Sequence, residues 1–439
     1  MNFDEALQYL LSLGHETLAM KLGLRNTELL LETLGSPQTA FESVQIAGTN
    51  GKGSTAVMLD SICRAAGIRT GLYTSPHLIS ITERINIAGN EISTSEFAEL
   101  ATEVRGAAES LLSDGKIQAL PTFFEHVTAV ALLAFRKARV QLAILETGLG
   151  GRLDATTVAG AKTVAITPIA MDHEEHLGHT INEIAAEKAA IIRPGVTAIV
   201  ANQSLEALRV VTNRAIEVGV VPDVSKPSLS IEHVTDDGRY TVTLKTNRDE
   251  YRQLTIGLLG QHQIENASVA VRIAEALSGR DVTVPKAAII KGLAGASYSG
   301  RLEYADGPPR LLLDGAHNPA GARTLRQYLD DYVNVSITLI FGAMKDKKLD
   351  EIAQLLFPKA EQLILTAPQN PRAAPPEQLR ELAIKHFSDR NVFVTQSAGD
   401  ALVKAKEITP AGDLICVAGS LYLVGEIKAK LNSKPPPDE

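Results

Sequence analysis

Residues 45–55 read QIAGTNGKGST, an apolar run that opens into glycines, a lysine and hydroxyls. Glycine lets backbone N–H groups approach a ligand closely. A helix N-terminus carries partial positive charge and lysine adds a full one, so the set suits a phosphate. The spacing is not that of the Walker A loop, which has four residues between its first glycine and the Gly-Lys pair, then Ser or Thr directly after the lysine. Here Thr49 and Asn50 alone separate Gly48 from Gly51, and Gly53 stands between Lys52 and Ser54. On spacing alone, a tight turn with a solvated lysine is the other reading. The setting favours phosphate, because strand-like FESVQIA precedes the loop and a helical pattern with apolar Leu59, Ile62, Cys63 and Ala66 follows it.

Other apolar runs also end in groups that could do chemistry. Ser75 follows TGLYT, Glu146 closes LAILE, and Asp172-His173 follow TVAITPIAM. Ligands of an open parallel sheet bind beyond the C-terminal ends of its strands. A hydroxyl, a carboxylate and an imidazole could complete a magnesium shell there, although imidazole is an unusual partner for so hard a cation. Singly, each also fits a turn or a solvated side chain. HEEH at 173–176 spaces its histidines at i, i+3, short of the zinc-protease pattern, and GLGGRL at 148–153 has Leu153 where a dinucleotide fingerprint needs glycine. Further on, LLLDGAHNPAG places Asp314 and His317 directly after a buried run, where an acid could hold a ribose hydroxyl and a histidine approach a phosphate; an Asp-Gly turn before a helix starting at Asn318-Pro319 explains them equally. Arg301, in SGRLE, is placed to clamp a terminal phosphate as two domains close.

Strand-like and helical patterns alternate along most of the chain, which predicts parallel α/β sheets. The exception is about 228–258, where DDGRYTVTLKT predicts an antiparallel excursion, and ERINIAGNEIS predicts a hairpin around Gly89-Asn90. A second alternating unit starts near Arg310. The Gly- and Ser-rich GLAGASYSG, 292–300, reads as the junction, so the expected domains are 1–295 and 296–439. Helical pattern also runs from Leu22 to Leu34, and the tail KPPPDE is of low complexity.

With 45% hydrophobic and 21% charged residues the composition is that of a soluble globular protein, and a net charge of −8 argues against a nucleic-acid partner. The opening MNFDEALQYLLSLGHE carries acids where a secretory signal has basic residues, and no apolar run approaches the ~20 residues of a membrane span. A cytoplasmic location without membrane contact is expected by elimination. The two cysteines, Cys63 and Cys416, read as buried free thiols.

Together these motifs resemble the Mur ligase superfamily, and within it the folylpolyglutamate synthase/dihydrofolate synthase family. AGTNGKGST, TSPHL with ERINIAG, FFEHVTAVALLAF, LETGLGGRLDATT, ITPIAMDHEEHLGHTINEIAAEKAAII, GQHQIENASVA, SGRLE, LLLDGAHN and MKDKK stand in family order over nearly the whole chain. The family's own phosphate loop looks like GTNGKGS, so the departure from Walker A is a family mark. The resemblance implies an N-terminal P-loop-type, mostly parallel sheet domain and a C-terminal Rossmann-like α/β domain. It implies that ATP is held by Thr49, Asn50, Gly51, Lys52, Gly53, Ser54, Asn266, Arg301, Asp314 and His317, and magnesium by Ser75, Glu146, His173 and Lys188 as a carbamate. Lys188 would otherwise read as a solvated helix lysine. Phe124, Asp154 and Ala155 fall at the pterin, and Lys52, Lys188 and His317 are the residues implied in catalysis.

The implied activity is ATP-dependent addition of L-glutamate to a folate carboxylate by a monomer, on reduced folates and on dihydropteroate, with a monovalent cation such as potassium as a further cofactor. Folylpolyglutamate synthesis alone, another Mur-type ligase, and a nucleotide-dependent switch are the competing readings. Two departures, Tyr298-Ser299 where the family often has Trp-Pro and Arg193 where lysine is common, are read as differences in packing.

Overall fold

The computed structural model describes residues 1–14, 23–278, 282–387 and 391–432; Leu22 and the tail KPPPDE lie outside them. The first sheet has seven strands: β1 (Glu42–Ala47), β2 (Thr70–Tyr73), β3 (Ile85–Ile87), β4 (Asn90–Glu91), β5 (Leu142–Glu146), β6 (Thr163–Ile166) and β7 (Thr197–Val200). Their order is β4-β3-β2-β5-β1-β6-β7. The five from β2 to β7 are parallel, and β3 and β4 add the predicted hairpin antiparallel at the edge.

Parallel strands need helical crossovers, and those helices bury both sheet faces, which is why these strands are buried along nearly their whole length. Successive side chains of β5 serve opposite faces, as a period of two requires. Leu142 and Ile144 join a core with the helices Lys52–Ala65, His262–Leu277 and Lys286–Ala294. Ala143 and Leu145 join another with the helices Thr94–Ser113 and Phe123–Lys137. The predicted excursion is a three-stranded antiparallel sheet of β8 (Ser228–Val234), β9 (Tyr240–Lys245) and β10 (Glu250–Thr255). It packs Tyr240, Val242 and Leu244 onto the first of those cores.

The second domain holds β11 (Glu303–Ala305), β12 (Arg310–Leu313), β13 (Ile337–Phe341), β14 (Gln362–Leu365), β15 (Val392–Val394) and β16 (Leu414–Ala418), ordered β11-β12-β16-β13-β14-β15. All pairings are parallel except that of β11 with β12. Helices cover both faces, as in a Rossmann-like sheet. Cys63 and Cys416 are free and buried. No helix among the described residues is long and apolar enough to cross a membrane.

The junction reading needs one correction. Gly292 and Leu293 are helical, within Lys286–Ala294. A Cβ on Gly292 would run into the backbone of Ile62, so this glycine lets two helices pack closely and does not mark a break. The boundary proposed at 295/296 falls between that helix and β11.

Candidate active site

β1 delivers the glycine loop at its C-terminal end, and the helix Lys52–Ala65 leaves it. Gly51 caps that helix at φ +85°, and a Cβ there would collide with the Asn266 side-chain amide, so both conformation and space demand glycine. Asn266 lies in the helix His262–Leu277, whose approach brings it onto the loop. Lys52 Nζ folds back to donate to the carbonyls of Gly48 and Thr49, each at 3.2 Å. That places its charge over the loop, against the solvated-lysine alternative.

The neighbouring strand ends converge on the same point. The backbone N–H of Ser75 donates to Glu146 Oε2 at 3.1 Å, joining the ends of β2 and β5. Burial raises the Glu146 carboxyl above its ordinary value, opposed by the charge of Lys52 and the Ser75 N–H. His173, beyond β6, sits at φ +51° and is pushed down to about 3 by burial, so its imidazole is neutral and has a lone pair to give. Lys188 is only 4% exposed, and burial followed by the charge of Lys52 lowers it to about 7. No group of three or more His, Cys, Asp or Glu residues suited to a metal occurs among the described residues. A magnesium ion does not require one, since it keeps several waters and binds phosphates through one or two carboxylates. Ser75 and Glu146 supply a hydroxyl and a carboxylate beside the glycine loop, so the site fits the ion.

From the second domain, β12 brings Asp314, whose two oxygens accept the N–H groups of Leu302 and Ala316, both at 2.9 Å. Burial raises this carboxyl. His317 turns Nδ1 to the Gly315 carbonyl at 2.8 Å. Every residue expected at the nucleotide, the magnesium or the pterin lines one cavity of about 530 Å³ between the domains, alongside Met344, Lys347 and Arg372.

The pterin trio occupies one flank. Asp154 is buried, with Oδ2 accepting from the N–H groups of Gly148 (2.8 Å) and Leu149 (3.2 Å) and Oδ1 from Thr156 N at 3.0 Å. The GLGG segment that failed as a dinucleotide fingerprint is thus wrapped around a carboxylate. Phe124 covers Gly148 and stands 6.0 Å from the Tyr73 ring, next to Ala155 at the start of a short 3₁₀ turn.

Sequence reasoning did not find the link between the domains. Asp172 and Lys347 are each 7% exposed and pair at 2.6 Å. Asn318 Nδ2 donates at 3.0 Å both to Asp172 Oδ2 and to Asn50 Oδ1 of the phosphate loop, while its own Oδ1 caps the helix Pro319–Tyr332. His317 Nε2 lies 3.5 Å from the same carboxylate. Burial works to raise Asp172, but the hydrogen bond and charge of His317, with the charge of Lys347, hold it far below the usual carboxylate range. The signals in the sequence were Asp172 at a strand end and the lysines of MKDKK.

Tyr298, read as a packing difference, does pack: it rests against the first core and presses its hydroxyl to 2.5 Å from where a Cβ on Gly53 would stand, with Arg301 5.7 Å from its ring centre. Arg193 does hold structure: its guanidinium donates to the carbonyls of Thr157 (2.8 Å) and Ala161 (3.1 Å).

A glycine loop between a strand and a helix, oxygen donors at the neighbouring strand ends and a second α/β domain facing both are the arrangement in which the chain matches the Mur ligases. The profile of the Mur ligase middle domain matches residues 46–274, and that of the Mur ligase glutamate ligase domain matches 300–421. Within that class the chain belongs to the folylpolyglutamate synthase/dihydrofolate synthase family. It is 32% identical to the dihydrofolate synthase/folylpolyglutamate synthase of Bacillus subtilis, over 95% of this chain and 97% of that one. It is 36% identical to a probable bifunctional folylpolyglutamate synthase/dihydropteroate synthase of Halobacterium salinarum over 98% of this chain, and spans about half of that relative, 52%. Among solved structures, the Mycobacterium tuberculosis folylpolyglutamate synthase complexed with ADP superposes with a TM-score of 0.91 at 30% identity, covering 99% of this chain and all of the other. An Escherichia coli FolC in complex with DHPP and ADP gives 0.86 at 30% identity over 98% of both chains. A bifunctional folylpolyglutamate synthase/dihydrofolate synthase with Mn, AMPPNP and L-glutamate bound gives 0.84 at 29%, covering 99% and 98%.

Proposed function

We propose that the chain is an ATP-dependent ligase that joins L-glutamate to a folate carboxylate, and that it also makes dihydrofolate from 7,8-dihydropteroate. The observation that carries this reading is the interdomain cavity of about 530 Å³, in which the glycine loop, the strand-end donors and the buried Lys188 all face one space. The relatives with DHPP, ADP, AMPPNP, Mn and L-glutamate bound support it.

A substrate carboxylate oxygen attacks the γ-phosphorus of ATP, and ADP leaves with the electron pair of the broken P–O bond. The glutamate amine then adds to the acyl carbon, loses its proton, and expels phosphate. Lys52 and the loop N–H groups of residues 49–54 hold the phosphates and offset the charge that builds on the transferred group. Ser75, Glu146 and His173 would hold magnesium, which supplies further neutralisation of that charge. Lys188 half-neutral near pH 7 is nucleophilic enough to take up CO₂ as a carbamate, an anionic partner beside His173. Asn266, Asp314, His317 and Arg301 would orient the nucleotide, and Phe124, Asp154 and Ala155 the pterin. Asp172, gripped by Lys347, Asn318 and His317, keeps the domains shut and water away from the acyl phosphate. We further place this activity in the cytoplasm, in a monomer aided by potassium.

The test is one assay set: ATP and glutamate with either dihydropteroate or tetrahydrofolate, products sized by mass. Phosphate release that needs both glutamate and a pterin supports the ligase. ATP turnover indifferent to glutamate overturns it in favour of a nucleotide switch, and product from tetrahydrofolate alone restricts it to folylpolyglutamate synthesis. In the same assay Asp172→Asn is expected to lower kcat/KM about 100-fold, because it leaves Lys347 buried without its partner, at a cost of about 3 kcal/mol. Unchanged kcat/KM would end the clasp role.

A further inference from the structure

The loop after β2 crosses into the second domain. It starts at Ser75, whose N–H is tied to Glu146. Three residues on, Leu78 packs against the core that contains Leu311, Leu313, Val424 and Ile427 of the other domain. Its side chain lies over Gly300, where an added Cβ would stand 3.2 Å from Leu78 Cδ1. Its carbonyl lies over Gly425, in the helix Leu421–Asn432, and a Cβ there would drive deep into that oxygen. Glycine costs a helix interior about 1 kcal/mol relative to alanine. Gly425 therefore needs a reason, and the Leu78 carbonyl is one.

The loop is also stiff. The Glu83 carboxylate accepts the N–H groups of Leu78, Ile79 and Ser80, all at 2.8 Å. Arg84 Nε donates to His77 Nδ1 at 2.9 Å. Only Pro76 and His77 separate Leu78 from Ser75, and His77 is the one held by Arg84, so a displacement of Leu78 has little slack to cross before it reaches Ser75.

We propose that Leu78 is a positioning residue: seated over Gly300 and Gly425, it ties the loop that bears Ser75 to the second domain, so that the Ser75–Glu146 end takes its working shape only when that domain is docked. The proposal rests on the reading of Ser75 and Glu146 given above. It makes domain docking a condition for phosphate transfer, so the acyl phosphate forms only where water is excluded.

Gly425→Ala tests it. Alanine favours the helix by about 1 kcal/mol and the clash with the Leu78 carbonyl opposes that gain, so the thermal midpoint should move by only a few degrees while activity falls. The added methyl should unseat Leu78, so kcat for glutamate-dependent phosphate release should fall about tenfold or more, with KM for ATP changed less than about twofold. Leu78→Ala should reproduce the fall and Leu78→Met restore most of it. A readout independent of turnover is the affinity for Mn²⁺ in the presence of AMPPNP, followed by the electron paramagnetic resonance of the free ion. It should weaken about fivefold in Gly425→Ala. Wild-type kcat together with wild-type Mn²⁺ affinity in that variant overturns the proposal. So does a fall that comes with a thermal midpoint lowered by more than a few degrees and no recovery in Leu78→Met, which would mark Leu78 as structural only. If the unmodified protein releases no phosphate with glutamate, the ligase reading fails, and the Mn²⁺ comparison alone decides this one.

Discussion

Lys52→Ala is expected to lower glutamate-dependent phosphate release by ~10³-fold, since one positioned donor to developing charge is worth ~10²–10³ and this one also shapes its loop. Nζ lies 3.2 Å from the carbonyls of both Gly48 and Thr49, so the side chain spans the loop it charges. Removing it takes away the charge on the transferred phosphoryl group and the cross-brace together. Lys52→Arg should rescue little, because a planar guanidinium does not replace an ammonium seated between two carbonyls. The check is kcat and KM for ATP in both variants, with circular dichroism to show that each is folded. Turnover within a few-fold of the unmodified protein would end the phosphate role of Lys52.

The second large effect is expected at Lys188. Its ordinary value is 10.5, and burial, then the charge of Lys52, brings it to about 7. At pH 7 about half of the amine is then free to react, against about one part in three thousand at the ordinary value. This difference makes carbamate formation at this lysine plausible chemistry where an exposed lysine would stay protonated. Lys188→Ala is expected to lower turnover ~100-fold, with partial recovery in bicarbonate or acetate, which can supply the missing carboxylate. Full activity in Lys188→Ala without any response to bicarbonate would remove the carbamate.

The same shift has a stability consequence. Between about pH 7 and the ordinary value of 10.5 the unfolded chain binds a proton here that the folded chain does not. Stability therefore rises with pH across that window, and below it the buried amine must be charged at a cost. The slope of the denaturation midpoint against pH should be smaller in Lys188→Ala.

Most of the scaffold was legible because periodicity reports burial. The runs that became β1, β5 and β13 are buried along nearly their whole length because helices cover both faces of each sheet. The alternation in YTVTLK predicted an antiparallel excursion, and β9 is a strand of one, buried on one face. The glycine loop was legible from its neighbours, since a strand before and a helix after are local properties. Lys188 was not: AAEKAAII has the pattern of a solvated helix, and only the resemblance to the family singled it out. Burial of one lysine depends on what other segments pack over its helix, which composition does not record.

The sequence by itself determined the two α/β units, the phosphate loop and the chemistry available at each strand end, because these follow from residue type and short-range spacing. Only the tertiary structure decided how those ends are joined. Asp172 meets Lys347 across 175 positions, Asn318 reaches Asn50 across 268, and Leu78 rests on glycines of the other domain. Even a glycine changed meaning: Gly292, which read as part of a break, is a place where another backbone comes too close for a side chain, and Gly425 is another such place. Such contacts pair groups far apart in the chain through the docking of two separate cores, and nothing in the local pattern of either segment encodes the partner.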